Sequence, residues 1–301
     1  TDGRIAVRAA TAHGMFNGTQ TLLSMLKGQK APYRLKNVAI RDYPDLLHRG
    51  QMLDISRNFT SVENVKKLID IWASYKLNTF QFHFSDDEGW RLEIPGLEEL
   101  TTVGARRGHT HDEQDCMYPA YDCGYDSEAT TTANGYYTRQ QFMELLCYAA
   151  ERHIDVIPEI ETPGHSRAAI AAMKSRYYKY IDTAPEKACE YLLCDIQGSS
   201  RYVSAQGYTN NVMNIALPST RRFVKKVIKE IQAMYREAGV PLTRIHLGGD
   251  EVQQWSWNDS PACRKSMEWI RYTSFRNISL WILPVSCIRK VSCLEDGRKL
   301  R

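Results

Sequence analysis

Apolar and polar positions along the chain follow two periodicities, that of extended strands and that of amphipathic helices. Four short apolar runs predict strands, at 49–57, 78–85, 154–161 and 244–247. Apolar side chains recur at helical spacing in three segments between or before these runs, which begin near Thr60, Thr138 and Ser219. Since strand and helix alternate, the pattern predicts an α/β fold with a parallel sheet.

The helix boundaries have their own signals. Thr60 with Glu63, and Thr138 with Gln141, have the spacing of a capping box, and Gly239 ends the third helix. The segments 100–136 and 166–218 lack a clear period, and a loop as long as the first one is typical of a functional segment. Only four clear strands lie between residues 45 and 251, whereas an eight-stranded barrel typically needs about 250 residues. We therefore expect the chain to be a fragment.

Composition excludes some classes of function. The 301 residues are 43% hydrophobic and 25% charged, which is ordinary for a globular domain. The formal net charge of +4 is not gathered into a basic block, which argues against nucleic-acid binding. No run of 18 or more apolar residues occurs, so we expect no membrane-spanning helix.

The eight cysteines leave the redox state open. Cys116 lies close to Cys123 in sequence and Cys189 lies close to Cys194, so each pair could form a local disulfide or stay reduced. Local disulfides would indicate a periplasmic, secreted or lysosome-like compartment. The Cys and His spacings do not match a structural zinc site.

The most informative segment is 246–252, where an apolar strand ends at two glycines followed by Asp250 and Glu251. Two adjacent acids disfavour each other's ionisation, and such pairs occur where chemistry needs one protonated and one ionised carboxyl, as in glycoside hydrolysis. Gly248 and Gly249 permit the irregular backbone that could bring both acids into one pocket. The alternative is a solvated strand end with two exposed acids.

Polar side chains also lie at the ends of the other three predicted strands. Arg57 ends the first strand, the Asp86–Asp87 pair follows the second, and Glu161 ends the third with His165 just beyond it. Because parallel strands bring their carboxyl ends to one edge, these groups should meet the acid pair there. The convergence favours a catalytic site.

Four segments carry a resemblance to a known family: 49–57 (RGQMLDISR), 83–91 (HFSDDEGWR), 158–166 (PEIETPGHS) and 246–252 (HLGGDEV). Together they resemble the family-20 glycoside hydrolases, which are β-N-acetylhexosaminidases, and the bacterial chitobiase branch is the most similar. The resemblance covers roughly residues 13–268. It implies a (β/α)8 TIM-type barrel whose first half lies at 36–270. Residues 1–35 would then end a preceding small α+β domain, and 271–301 would be an aberrant tail.

The resemblance further implies removal of terminal N-acetylglucosamine or N-acetylgalactosamine from β-linked, chitobiose-like oligosaccharides, with no cofactor and no metal. In this family the substrate's own acetamido oxygen attacks the anomeric carbon, so an enzyme nucleophile is not needed. Glu251 would be the general acid and then the base, and the neighbouring charge of Asp250 would help it to keep a proton. Asp250 would hold the acetamide N–H. Asp86 would orient His165 against Glu251, although His165 alone could equally be a turn histidine bonded to backbone.

Three further residues are candidates for contacts with the sugar. Arg57 would reach the sugar hydroxyls, with a salt bridge to Asp54 or Glu88 as the alternative. Glu161 and His83 are weaker candidates, and His83 could simply be a core histidine.

The resemblance also indicates what this chain lacks. In the family, later strands supply an aromatic cage and further acids around the sugar, and no matching set follows Glu251. Trp255 and Trp257 could stack on a sugar or could serve ordinary packing. We therefore expect the parent enzyme to be active and this chain to be weakly active or inactive.

Two other functions stay open. A metal-dependent barrel hydrolase would use His83, Asp86, His165 and Asp250 as ligands, although segment 81–83 lacks the second histidine of a His-x-His pair. The second open function is that of a non-catalytic carbohydrate-binding relative. The missing later strands favour this function, and the intact pair Asp250–Glu251 argues against it.

Overall fold

The structure, a computed structural model, describes residues 3–121, 123–198, 202–252 and 255–264. The elements in chain order are α1 (Ala12–Leu26), β1 (Gly50–Asp54), α2 (Val62–Ser74), β2 (Thr79–His83), β3 (Ser85–Asp86), β4 (Gly89–Trp90), α3 (Glu99–Thr102), α4 (Arg139–Ala150), β5 (Asp155–Glu159), α5 (Arg167–Tyr180), α6 (Pro185–Cys189) and α7 (Pro218–Glu237). The predicted tail 271–301 lies outside the described residues, and the division at 35/36 stays a prediction. None of the described helices is both long and apolar enough to cross a bilayer.

A parallel sheet in the order β1–β2–β5 organises the chain. Gly50 of β1 pairs with Thr79 of β2 where these strands begin, and His83 of β2 pairs with Glu159 of β5 where those strands end. The predicted parallel α/β arrangement and its first three strands are therefore confirmed. The predicted fourth strand, 244–247, runs parallel to β5 but forms only one bridge, between Glu159 and His246.

The two faces of the sheet differ in character, because successive side chains of a strand point to opposite sides. Phe80 and Phe82 face the helices, where their rings contact Trp72 and Phe142. The residues between and after them, Gln81 and His83, point to the other side. The apolar face is thus covered by helices, while the opposite face carries polar groups toward the carboxyl ends of the strands.

The helix starts match the prediction at one site and differ at another. α4 begins with the predicted capping box, in which Thr138 and Gln141 bond each other's backbone N–H. α2 is capped by Ser61 rather than Thr60, so the predicted box at Thr60 is wrong. The Tyr137 hydroxyl donates to the Thr60 carbonyl, which holds that residue outside the helix.

Segment 166–218, which has no clear period in the sequence, contains the helices α5 and α6. Most of the 14 residues of α5 are buried, so its sequence has no polar stripe to mark a helical period. Its N-cap residue, Ser166, makes no side-chain capping bond. Burial on nearly all sides explains why the sequence did not reveal this helix.

The long segment between β4 and α4 is fixed to the sheet by Arg91. The buried guanidinium donates to the carbonyls of Ser56 at 2.8 Å, Ala105 at 2.9 Å and Ala133 at 2.9 Å. It therefore joins the end of β1 to both ends of the irregular segment.

Replacing Arg91 with methionine should lower the free energy of unfolding by about 3 kcal/mol or more, because several buried carbonyls would lose their donor. Urea denaturation measures the change. Arg106→Met is the matched control, since Arg106 pairs only at the surface with Glu128 and should cost less than about 1 kcal/mol. Equal losses in the two variants would contradict the prediction.

Candidate active site

Asp86 lies at the centre of a charged cluster beyond the carboxyl ends of the strands. It comes at the end of β3, directly after β2, in a short hairpin that buries its side chain. Its carboxylate lies 2.7 Å from Nη1 of Arg57, 2.9 Å from Nε2 of His83 and 3.2 Å from Nδ1 of His165. One buried carboxylate thus meets three basic side chains, of which the sequence had placed Arg57 and His165 at the same rim as Asp86.

The charge state of Asp86 follows from these neighbours. Burial by itself would favour the neutral acid, but hydrogen bonds from His165 and His83 and the charge of Arg57 outweigh it, and together they lower the pKa of Asp86 to about 2. Asp86 is therefore an anion at every ordinary pH.

His165 joins this anion to the acid pair. Its Nδ1 lies 3.2 Å from Asp86 and 3.3 Å from Asp87, and its Nε2 lies 3.3 Å from Oε2 of Glu251. Hydrogen bonds to Asp86 and then to Asp87 raise the pKa of His165 to about 11. The ring contacts carboxylates on both sides, which is the predicted arrangement and not that of a turn histidine bonded to backbone.

The raised pKa of His165 makes stability depend on pH. A histidine whose folded pKa lies above its unfolded value of 6.5 stabilises fully below pH 6.5, and this contribution is lost as the pH rises toward 11. Wild-type protein should lose at least about 1 kcal/mol of unfolding free energy across that window through this residue. Urea denaturation at several pH values should show a shallower decline in His165→Gln. Identical slopes in the two proteins would count against the assignment.

The loop after segment 244–247 presents the acid pair. Gly248, Gly249 and Glu251 have φ values of +64°, +104° and +48°, so the chain turns sharply, as the two glycines predicted. The Glu251 side chain stays 46% exposed and also accepts a hydrogen bond from Gln206 at 3.1 Å. Asp250 is exposed, and its charge contributes to raising the pKa of Glu161.

Arg57 is held by three carboxylates, one at the end of β1 and two in the β3–β4 hairpin. Nη1 lies 2.8 Å from Asp54 as well as 2.7 Å from Asp86, and Nε lies 3.0 Å from Glu88. The salt bridges that the sequence offered as an alternative are therefore present. Despite burial, these three acids raise the pKa of Arg57 further above its usual value, so the group is a permanent cation at the rim.

A second group lies on the polar face of the sheet. Nδ1 of His83 is 3.2 Å from Oε2 of Glu159, whose Oε1 is 2.6 Å from Nδ1 of His246. Glu161 is buried beside them, and burial raises its pKa well above the usual range. His83 is buried with a carboxylate at each ring nitrogen, Asp86 and Glu159, which agrees with the alternative of a core histidine whose polar atoms are satisfied.

The two tryptophans that follow the acid pair differ in burial. Trp257 is buried, donates its Nε1 proton to the Met213 carbonyl at 3.0 Å and packs against Ile215 and Cys263. Trp255 is 63% exposed. Packing is thus the observed role of Trp257.

The cysteine pairs are not bonded to each other. Cys116, Cys123, Cys189 and Cys194 are free thiols in the structure, so the disulfide alternative is wrong there and the reduced alternative holds. Cys116 is buried near the carbonyl of His109, whereas Cys123 lies against that of Gly124. The predicted oxidising compartment stays a prediction.

Of the four ligands of the alternative metal hydrolase, Asp86 contacts both His83 and His165, but Asp250 does not join them in the described part of the chain. Donor atoms close enough to share one ion form two groups, His83 with Glu159 and Glu161, and Asp86 with Asp87 and His165. Asp250 belongs to neither group.

The structure adds five residues to the site that the sequence did not predict: Gln81, Glu159, Gln206, Tyr208 and Asn211. Asp87 accepts from Asn211 at 2.9 Å, Glu88 accepts from Tyr208 at 3.3 Å, and Glu159 accepts from Gln81 at 2.8 Å. Gln81 and Glu159 had a detectable signal, since each is a polar position within an apolar strand. Asn211, Tyr208 and Gln206 lie in an irregular segment whose approach to the site only tertiary structure reveals.

Comparison with known proteins gives consistent matches. Residues 46–287 match the glycosyl hydrolase family 20 catalytic domain, and residues 1–43 match domain 2 of the same family. A β-hexosaminidase of Vibrio vulnificus is 43% identical over 266 residues, covering 88% of this chain and 31% of that protein. An N,N'-diacetylchitobiase of Vibrio harveyi is 40% identical over 251 residues, covering 83% and 28%.

Solved structures give the same result. The crystal structure of a GH20 exo-β-N-acetylglucosaminidase from Vibrio harveyi, in complex with N-acetylglucosamine, superposes with a TM-score of 0.74 at 37% identity. The alignment covers 90% of this chain and 38% of that one. A β-N-acetylhexosaminidase from Bacteroides fragilis has a TM-score of 0.66 at 28% identity, with 94% and 46% covered. The chain spans about a third of the length of these curated relatives.

Proposed function

The chain belongs to glycosyl hydrolase family 20, and from that premise we propose that it hydrolyses terminal, non-reducing β-linked N-acetylhexosamine by substrate-assisted, retaining catalysis. The observation that carries the proposal is the line of contacts from Asp86 through His165 to Glu251. We also propose that the sheet β1–β2–β5, with its helices on one face, is part of a (β/α)8 barrel with the site at the carboxyl ends of the strands.

Glu251 is the proposed general acid. It is exposed enough to reach a glycosidic oxygen, while its Oε2 lies beside the charged His165. As the acetamido oxygen of the substrate attacks the anomeric carbon, Glu251 gives its proton to the leaving oxygen, and His165 stabilises the carboxylate that remains. An oxazolinium intermediate results. A water molecule then attacks the anomeric carbon and opens the oxazolinium ring, while the Glu251 carboxylate takes a proton from that water. The configuration at the anomeric carbon is retained.

Asp86 acts through His165. Because Asp86 stays ionised, it fixes the orientation of the imidazole and keeps it charged. We propose that Asp86 and His165 are positioning residues, and that Glu251 is the group that touches the reacting atoms.

Asp250 and Arg57 are proposed to bind the sugar. The exposed Asp250 carboxylate would accept the acetamide N–H and balance the positive charge that develops on the ring. The ion pairs of Arg57 use Nη1 and Nε, so we propose Nη2 as a donor to a sugar hydroxyl. Glu161 and His83 lie beneath this surface, and their proposed contribution to sugar binding is indirect.

The proposed substrates are chitobiose-like oligosaccharides, which agrees with the names of the curated relatives. The test compares a chromogenic β-N-acetylglucosaminide with the matching β-glucoside, which lacks the acetamide. The chain is assayed alone and as a chimaera in which residues 46–252 replace the matching segment of the Vibrio harveyi chitobiase.

Turnover of the acetamido substrate alone, with tight binding of a thiazoline inhibitor, would support substrate assistance. Cleavage of both glycosides at similar rates would reject that mechanism. Inhibitor binding without turnover in both proteins would favour a carbohydrate-binding role.

A further inference from the structure

The second group on the polar face brings together donor atoms of the kinds that bind metal ions. One ring nitrogen of His83 and one carboxylate oxygen each of Glu159 and Glu161 lie within 4.8 Å of one another. All three side chains are more than nine-tenths buried. His83 and Glu159 are the last residues of β2 and β5, and Glu161 follows β5 by two residues. The sheet therefore holds the three groups in fixed relative positions.

His83 is oriented as a metal-binding histidine would be. Its Nε2 lies 2.9 Å from Asp86, and its Nδ1 lies 3.2 Å from Oε2 of Glu159. If Nε2 carries the proton, the Nδ1 lone pair faces two carboxylates. A carboxylate that receives the other ring N–H is the usual outer partner of a histidine ligand.

Glu161 supplies a further possible ligand atom, a carboxylate oxygen. Its Oε2 is buried and has no hydrogen-bond partner among the described residues. A Cβ at Gly248 would overlap this carboxylate, so only glycine leaves room for it there. A buried carboxylate oxygen without a partner is costly, and a cation would satisfy it.

We propose that His83, Glu159 and Glu161 form a binding site for Zn²⁺. One imidazole and two carboxylates are ligands that zinc accepts, and three protein ligands leave a position for water. Tetrahedral zinc needs donors about 3.4 Å apart, given bonds of about 2.1 Å. His83 Nδ1 and Glu159 Oε2 are already 3.2 Å apart, and the Glu161 oxygen lies within 4.8 Å of both, so the site requires the Glu161 carboxylate to move closer to them.

Binding exchanges protons for the cation. A protonated His83 must release its Nδ1 proton to the solvent, and a neutral Glu161 must release its own, so affinity should rise with pH. The other charged or polar groups that face the three ligands are Asp54, Asp86, His246, Asp250 and Gln81. With zinc, two carboxylates and a neutral imidazole, the group itself has no net charge.

The test is calorimetric titration of the whole chain with Zn²⁺ alone, in the presence of a phosphine reductant, with Glu161→Gln as the key variant. Asp87→Asn is the matched control, because Asp87 belongs to the neighbouring group with Asp86 and His165. Loss of one ligand should weaken binding by more than about 10–100-fold, which is the usual cost of changing an outer partner of a metal ligand. Asp87→Asn should keep the wild-type affinity.

Cobalt gives a second readout, because thiolate ligands produce an intense near-ultraviolet charge-transfer band. The expected Co²⁺ spectrum lacks that band, and Glu161→Asp, which shortens the reach of the ligand, should weaken binding even if Glu161→Gln fails to fold. Unchanged affinity in a folded Glu161 variant, loss in Asp87→Asn alone, or a thiolate band would each overturn the proposal. None of these readouts depends on hydrolysis.

Discussion

Glu251→Gln should reduce kcat for a chitobiose-like disaccharide by about 10²–10⁴-fold, the usual contribution of general acid–base catalysis. Glutamine keeps the size of the side chain but cannot give a proton to the leaving oxygen. KM should change little, because the acid acts mainly in the transition state. The chimaera defined above provides the measurable turnover.

Two comparisons make this result specific. Glu63→Gln, on the exposed surface of α2, should leave kcat unchanged. A substrate with a nitrophenyl or better leaving group should suffer less from Glu251→Gln than a disaccharide, since a good leaving group needs less protonation. If Glu251→Gln retained half or more of the wild-type kcat on the disaccharide, the acid would have to be another residue.

Asp86→Asn should lower both stability and turnover. The substitution removes the one anion that Arg57, His83 and His165 share, so three buried or half-buried cations would lose a partner. Breaking a buried pair on one side costs about 3–5 kcal/mol, and we expect a loss of this size in urea denaturation. In the folded fraction, kcat should fall by about 10²-fold or more, because His165 loses its orientation and its charge.

The control for Asp86 is Asp70→Asn. Asp70 pairs with Arg152 on the protein surface, and its loss should cost less than about 1 kcal/mol without an effect on kcat. A structural role alone would lower stability and leave the pH profile of kcat unchanged. The assigned role of Asp86 therefore requires the profile of the variant to shift as well.

The sequence predicted those parts of the fold whose signals are local. Alternating strands and amphipathic helices identified β1, β2, β5, α4 and α7, because one apolar face of each helix packs on the sheet while the other meets water. The same reasoning failed for α5, whose buried surroundings remove the contrast between faces. It also placed the cap of α2 one residue early, since the hydroxyl that holds Thr60 comes from Tyr137, far along the chain.

The candidate site, like the fold, was predictable from the sequence only in part. Charged residues at strand ends are visible in sequence, and the structure brings Arg57, Asp86, His165 and Glu251 into one connected set. How those residues share partners is not visible. That Asp86 serves two histidines at once depends on the register of β1, β2 and β5, which only the folded sheet fixes.

Segment 244–247 meets the chain at the end of β5 through one bridge and three backbone hydrogen bonds, whereas the β1–β2 and β2–β5 ladders each pair five residues. Its detachment should therefore need less free energy than global unfolding. Such local opening would withdraw Glu251 from His165 and leave the charges around Asp86 assembled. Activity should then be lost at a lower temperature than the structure of the sheet.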